Sequence, residues 1–240
     1  MDVFSIRTTI IMAFPTYESV TDTGFASSVT SMPINMPATV NSGDLLIALS
    51  STRNAPTWTK PSGWNDISTI AQAGGGSVGK LSGFYKIADG TEGGTTPTWT
   101  ASGVTTAAWI TIRISGWHGT TPPEATTASG DATNANPPSL TPSWGADNTL
   151  WLAIASNSAT GETTGFTAAP TNYLNLHSNG ASSGGSTCNV ASSTRSLNAS
   201  SEDPGTFTPN SNRFWAAATI AIRPAASTTN TSNFFVFFRP

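Results

Sequence analysis

Hydrophobic residues fall along this chain in short runs, and two of the runs are apolar on both sides of an extended strand. In Gly43–Ser51, Leu45, Ile47 and Leu49 alternate with Leu46 and Ala48. Strand side chains point alternately to opposite faces, so neither face of this segment suits water, and it reads as a central, buried strand. Leu150-Trp151-Leu152-Ala153-Ile154-Ala155 has the same character. Two further runs are one-sided. Ala108–Ile114 turns Ile110, Ile112 and Ile114 inward and Trp109, Thr111 and Arg113 outward, and a later run turns Ala218, Ile220 and Ile222 inward.

Weaker signals fill the intervals. Tyr17–Val40 predicts two strands: a polar edge around Ser27–Val29, and Pro33–Pro37, whose prolines confine it to a sheet edge. Trp58-Thr59 reads as a short strand, Pro61-Ser62-Gly63 as a turn and Trp64–Ile67 as the start of the next strand. Leu81, Gly83, Tyr85 and Ile87 share a face, Asp89-Gly90 turns the chain, and Thr98-Trp99-Thr100 leads into another strand. His118–Asn136 has no periodic apolar face and reads as a surface connection.

These signals recur in order. Trp58-Thr59, Pro61, Trp64 and Ile67 correspond to Phe166-Thr167, Pro170, Tyr173 and Leu176. Lys86-Ile87 with Glu92 correspond to Arg195, Leu197 and Glu202, and Thr111–Ile114 to Thr219–Ile222. The expectation is an all-β, jelly-roll-like antiparallel sandwich built from two pseudo-symmetric sequence repeats. The body spans 17–225, with halves at about 17–117 and 127–225, between an N-terminal extension (1–16) and a linker with a C-terminal arm (226–240). One half alone would bury too little surface for stability, so the halves are expected to share a core.

Composition agrees. Only 10% of residues are charged, so Ser, Thr and Asn must supply the polar surface, and with 22 Gly and 16 Pro they favour turns and strands over helices. Net charge is −3 with scattered basic residues, which gives no stripe for nucleic acid. No stretch approaches the length of a membrane-spanning helix. The one cysteine, Cys188, rules out an intrachain disulfide and reads as a small apolar strand residue. Met12 looks like a second start, which would make the first eleven residues an upstream extension.

Motifs with catalytic overtones lack their context. Gly75-Gly76-Ser77-Val78-Gly79 fits the G-x-S-x-G pattern, and Gly74, Gly76 and Gly79 fit G-x-G-x-x-G. Both chemistries need a strand–turn–helix unit, and the residues after Gly79 read as a strand. Asp89 with Glu92, and Glu202 with Asp203, offer too few oxygens for calcium; Asp89-Gly90 reads as an Asx-type turn and the glutamates as partners of neighbouring cations. Neither His118 nor His177 has metal-ligand spacing. No cofactor, metal or catalytic set is assigned.

Two aromatic features remain. Trp109 lies opposite the isoleucine row, where it is either open to a glycan or a second subunit, or covered by a further layer; the usual burial of tryptophan favours the cover. Phe234, Phe235, Val236, Phe237 and Phe238 form an arm too apolar to be left in water. It either folds back on its own sandwich or docks on a neighbour, and it is the candidate partner-binding segment.

Several motifs together resemble a family of duplicated β-sandwich proteins of tailed-phage virions, prophages and some bacterial surface proteins. They are Ser42-Gly43-Asp44-Leu45-Leu46, Pro61-Ser62-Gly63-Trp64, Tyr85–Glu92 and Arg113-Ile114-Ser115-Gly116. In the second half they are Leu150–Ala153, Ala169-Pro170 with Tyr173, Ser201–Gly205 and Trp215–Ala218. The resemblance covers about 17–225 and brings no catalytic residues. It implies a virion structural protein, either a capsid decoration (cement) subunit or a fibre or tail component. Its partners would be the major capsid protein or tail proteins, and by analogy it would be a homo-oligomer, a trimer. A carbohydrate-binding host-adhesion module is the alternative, and an enzyme is not expected.

Overall fold

The strands follow the alternation of apolar residues closely. In the computed structural model, which describes residues 13–72, 79–131, 134–158, 165–183, 186–211 and 214–226 (without the side chains of 23–25 and 181–186), they are β1 (Thr16–Pro33), β2 (Leu45–Thr52), β3 (Trp58–Thr59), β4 (Asn65–Ala71), β5 (Lys80–Ile87), β6 (Thr98–Ser115), β7 (Glu124–Gly130), β8 (Asp147–Asn157), β9 (Phe166–Ala168), β10 (Leu174–Ser183), β11 (Ser186–Ala199), β12 (Thr208–Pro209) and β13 (Trp215–Ile222). One sheet runs β1-β6-β2-β5-β4, with β3 added on β6. The other runs β7-β13-β8-β11-β10, and β9 and β12 form a separate pair. Every ladder is antiparallel.

The two sheets stack as a β-sandwich, with β1 against β10 at one side and β4 against β7 at the other. The inner faces meet in a single apolar layer. Leu45, Ile47, Leu49, Ile110, Ile112 and Ile114 come from the first sheet, and Leu150, Leu152, Ile154, Val190, Ile220 and Ile222 from the second. The paired registers explain this: Ile47 lies beside Ile112, and Leu152 beside Ile220. Burying one such side chain is worth roughly 1.5–3 kcal/mol.

The outer faces are also covered. Leu46, Ala48, Phe84, Trp99 and Trp109 of the first sheet are buried beneath Ile34, Met36, Val40, Trp58 and Trp64. Trp151, Ala153, Ala191 and Ala217 of the second are buried with Ala135, Leu140, Phe166, Tyr173 and Phe207. A buried threonine holds each cover at an equivalent point. Thr111 Oγ1 donates to Asn35 O at 2.7 Å, and Thr219 Oγ1 to Pro138 O at 2.5 Å.

Three expectations change. Residues 34–37 are a covering segment rather than an edge strand: past Pro33, the last residue of β1, Ile34 and Met36 still donate to Pro97 O and Thr95 O at 3.0 Å, but Pro37 has no amide to carry a ladder further. The expected strands around Thr98 and Ala108 are a single strand, β6, whose irregular register with β1 absorbs the break in alternation. Strand β7 lies inside the stretch expected to be a plain connection. It is an edge strand of partly exposed Thr, Ala and Ser, so it lacks an apolar stripe.

Trp109 is 1% exposed, and its ring is 4.9 Å from that of Trp58 and 5.1 Å from that of Trp99. It is part of the outer core and presents no face to a glycan or a subunit. Trp109→Ala is therefore expected to destabilise the fold by about 3–5 kcal/mol, read as a lowered urea midpoint.

Candidate functional site

The two ends of the sandwich differ. At one end short turns join the strands. Asn41–Asp44, Pro61–Trp64 and Pro170–Tyr173 each close with a hydrogen bond from the fourth residue's amide to the first residue's carbonyl. Gly43, Gly63 and Asn172, the third residues, have φ of 88°, 85° and 67°. That left-handed conformation is open to glycine and tolerated by asparagine.

Most of the charge on this charge-poor chain collects at the same end, in ion pairs. Asp44 Oδ2 lies 2.5 Å from Arg113 Nε, Glu92 Oε1 2.8 Å from Lys86 Nζ, and Glu202 Oε1 2.7 Å from Arg195 Nη1. Asp147 and Arg223 form a looser pair at 3.7 Å. Glu92 also accepts the amides of Asp89 and Gly90, both at 3.1 Å. Burial pushes the Glu92 carboxyl up, but Lys86 and these amides outweigh it and hold the group below its ordinary value of 4.5. Asp89 is also lowered, first by the Thr91 hydroxyl and then by the Thr91 amide, which closes an Asx-type turn. Tyr173 donates to Glu202 at 3.3 Å, and its phenol is raised by burial and by that carboxylate. Of the acids singled out in the sequence, Glu92 and Glu202 thus close loops on neighbouring cations, and Asp89 closes its turn on Thr91. Among the described residues no three of His, Cys, Asp and Glu converge as a metal site would require.

A groove of about 460 Å³ opens at this end, between the start of β1, the start of β10 and the end of β11. Phe14, Pro15 and Tyr17 form one wall, and Asn172, Leu174 and Asn175 the other. Leu150 and Thr194–Ser196 lie between them. Asn175 is in the left-handed region (φ 54°) and donates to Thr194 Oγ1 at 2.9 Å. Leu174 is 71% exposed, an unusual state for a leucine on a sandwich. The Tyr17 ring stacks on His177 at 6.2 Å, and His177 Nδ1 lies 3.2 Å from Asp22 Oδ2, so this cluster bridges β1 and β10. The Tyr17 hydroxyl is buried without a hydrogen-bond partner, and burial, then the Asp22 carboxylate, raises it.

The opposite end has a polar interior. Gln72 Nε2 donates to Ser156 Oγ across the sheets at 3.3 Å, Cys188 Sγ lies 3.4 Å from Thr106 O, and Asn189 Nδ2 donates to Asn157 Oδ1 at 2.8 Å. Gly79 is required here, since a Cβ would lie 2.4 Å from Gln72 Oε1 and 2.7 Å from Thr52 O. Most of the G-x-S-x-G segment, 74–78, lies outside the described residues, as does Phe234–Phe238. His118 sits in a loop, where its Nδ1 accepts the Thr121 amide at 3.2 Å.

The groove was not among the expected sites. Tyr17 and His177 lie far apart in sequence, and the residues of both walls are ordinary turn and edge residues. Two asparagines, a residue type that tolerates positive φ, were the one sequence trace, and asparagine is too common in this chain for them to stand out. No protein family, curated protein or solved structure matches the chain. The fold places it among all-β antiparallel sandwiches.

The depressed Glu92 carboxyl makes a pH prediction. Its contribution is complete above pH 4.5 and lost as pH falls through the lower folded-state value. Glu92→Gln should cost about 1–3 kcal/mol at pH 7, as for a hydrogen-bonded charge, and the difference from wild type should shrink in acid. Denaturant titrations at pH 7 and pH 3 would check it.

Proposed function

We propose that the protein is a virion structural subunit of a tailed phage, a capsid decoration (cement) or fibre/tail component that acts by protein–protein assembly. The observation that carries this reading is how the chain uses its charged groups. Asp44, Glu92, Asp147 and Glu202 are each committed to an ion pair that fixes a turn or strand end. Such a body is built for rigidity rather than for proton transfer. The order of motifs that resembles phage sandwich proteins supports the same reading, as does the Phe234–Phe238 arm.

The body is proposed to be a duplication. Its sheets share one strand order, with β1, β6, β2, β5 and β4 standing where β7, β13, β8, β11 and β10 stand. The Thr111 and Thr219 bonds to the covers, and the Lys86–Glu92 and Arg195–Glu202 pairs, are equivalent under that exchange. The proposed partners are the major capsid protein or tail proteins, the proposed assembly a homotrimer and the location the virion. Deleting Asn233–Pro240 is expected to abolish incorporation into particles, measured by quantitative blotting of purified virions. Full incorporation of the deleted chain would refute the arm's role.

A second reading, a carbohydrate-binding adhesion module, is favoured by the groove rather than by Trp109. Planar amides at Asn172 and Asn175 beside the Tyr17 ring are groups that hold sugars. Asn175→Gly keeps the positive φ and removes the amide. Loss of a glycan-array signal in that variant would support this reading, and a blank array with wild type at millimolar sugar would reject it.

A further inference from the structure

The groove and the last described residues of the chain are neighbours. The Ala225 amide donates to Gly116 O at 2.9 Å. A Cβ on Gly116 would lie 3.7 Å from Phe14 O and 3.8 Å from Pro15 Cα, and Phe14 and Pro15 form a wall of the groove. The chain therefore leaves the sandwich one backbone away from the groove. Beyond Ala226 come the small polar residues 227–233 and then Phe234-Phe235-Val236-Phe237-Phe238. From Ala226 to Phe234 the backbone spans at most about 29 Å, and β13 stands three strand spacings, about 14 Å, from β10 at the far wall of the groove.

The groove has what such a segment needs. Leu174, exposed on one wall, faces a wall that contains Phe14 and Tyr17. Covering this apolar surface is favoured at about 25 cal/mol per Å². In an extended segment Phe234, Val236 and Phe238 share one face, and Phe235 and Phe237 the other. One row can lie against Leu174 while the exposed Ser196 hydroxyl meets the backbone.

We propose that the groove is the docking site of the chain's own Phe234–Phe238 segment. The short tether decides for the same chain over a second copy, because it gives an effective concentration in the millimolar range. The proposal goes beyond the assembly reading: it concerns where the arm rests in the free subunit, whatever it binds in a particle.

The test uses the full-length protein and methyl-resolved NMR with amide exchange. In wild type, the Leu174 methyls should shift when Phe234, Phe235, Phe237 and Phe238 are all changed to Ser, because their ring currents are removed. The amides of 234–238 should exchange at least about tenfold more slowly than in an unstructured peptide, by analogy with local opening equilibria. Leu174→Asp should abolish that protection while strand amides keep theirs, since Leu174 is largely exposed. Unprotected arm amides in wild type, or Leu174 methyls that ignore the serine variant, would overturn the proposal. So would protection that falls on dilution, which would indicate a second copy, or a Leu174 shift that responds to Phe4→Ser instead, which would indicate the N-terminal segment. Particle incorporation is measured separately. An arm that is free in solution yet required for incorporation would sink this proposal and leave the assembly reading standing.

Discussion

The structure depends on strands that are apolar on both faces. A sheet whose outer face is polar can stop at two layers, with water outside. Here Leu46 and Ala48 on β2, Trp99 and Trp109 on β6, and Trp151 and Ala153 on β8 forbid that. Each sheet must be sealed twice, once by the other sheet and once by the chain's own connections. The long connections after β1, β7 and β11 follow from this. They supply Ile34, Met36, Leu140 and Phe207, the side chains that close the outer layers.

With so few charges available, their placement matters. The chain spends them mostly at the end where the short turns lie, tying Asp44 to β6 through Arg113 and the loop after β5 to its own strand through Lys86. The other end relies on amides and hydroxyls such as Gln72, Ser156 and Asn189. Neutral hydrogen bonds of this kind contribute less than charge-assisted ones. Among the described residues, charge-assisted contacts thus gather mostly at one end and neutral ones at the other.

Much of the fold was legible because burial leaves a local trace. Two-sided strands show as unbroken apolar runs, and the turns at Pro61–Trp64 and Pro170–Tyr173 carry proline and a residue suited to positive φ. The traces failed where a neighbour, not the segment, decides the structure. β7 is a strand because β13 offers it an edge, not because its Thr and Ala residues are patterned. Trp109 could be placed on the outer face of β6 but not under Trp58, which arrives from elsewhere in the chain. The groove was invisible for the same reason. Its walls come from the start of β1 and from the turn before β10, and only the stacking of the two sheets brings them together.

The lone thiol has a further consequence. Cys188 is wholly enclosed between the sheets, with its sulfur against the backbone of the strand opposite. A water-borne alkylating reagent can reach it only while the layers part, so the chain carries an intrinsic clock for that motion. The rate at which the sulfur is modified in native buffer would time how often the sheets part around Cys188.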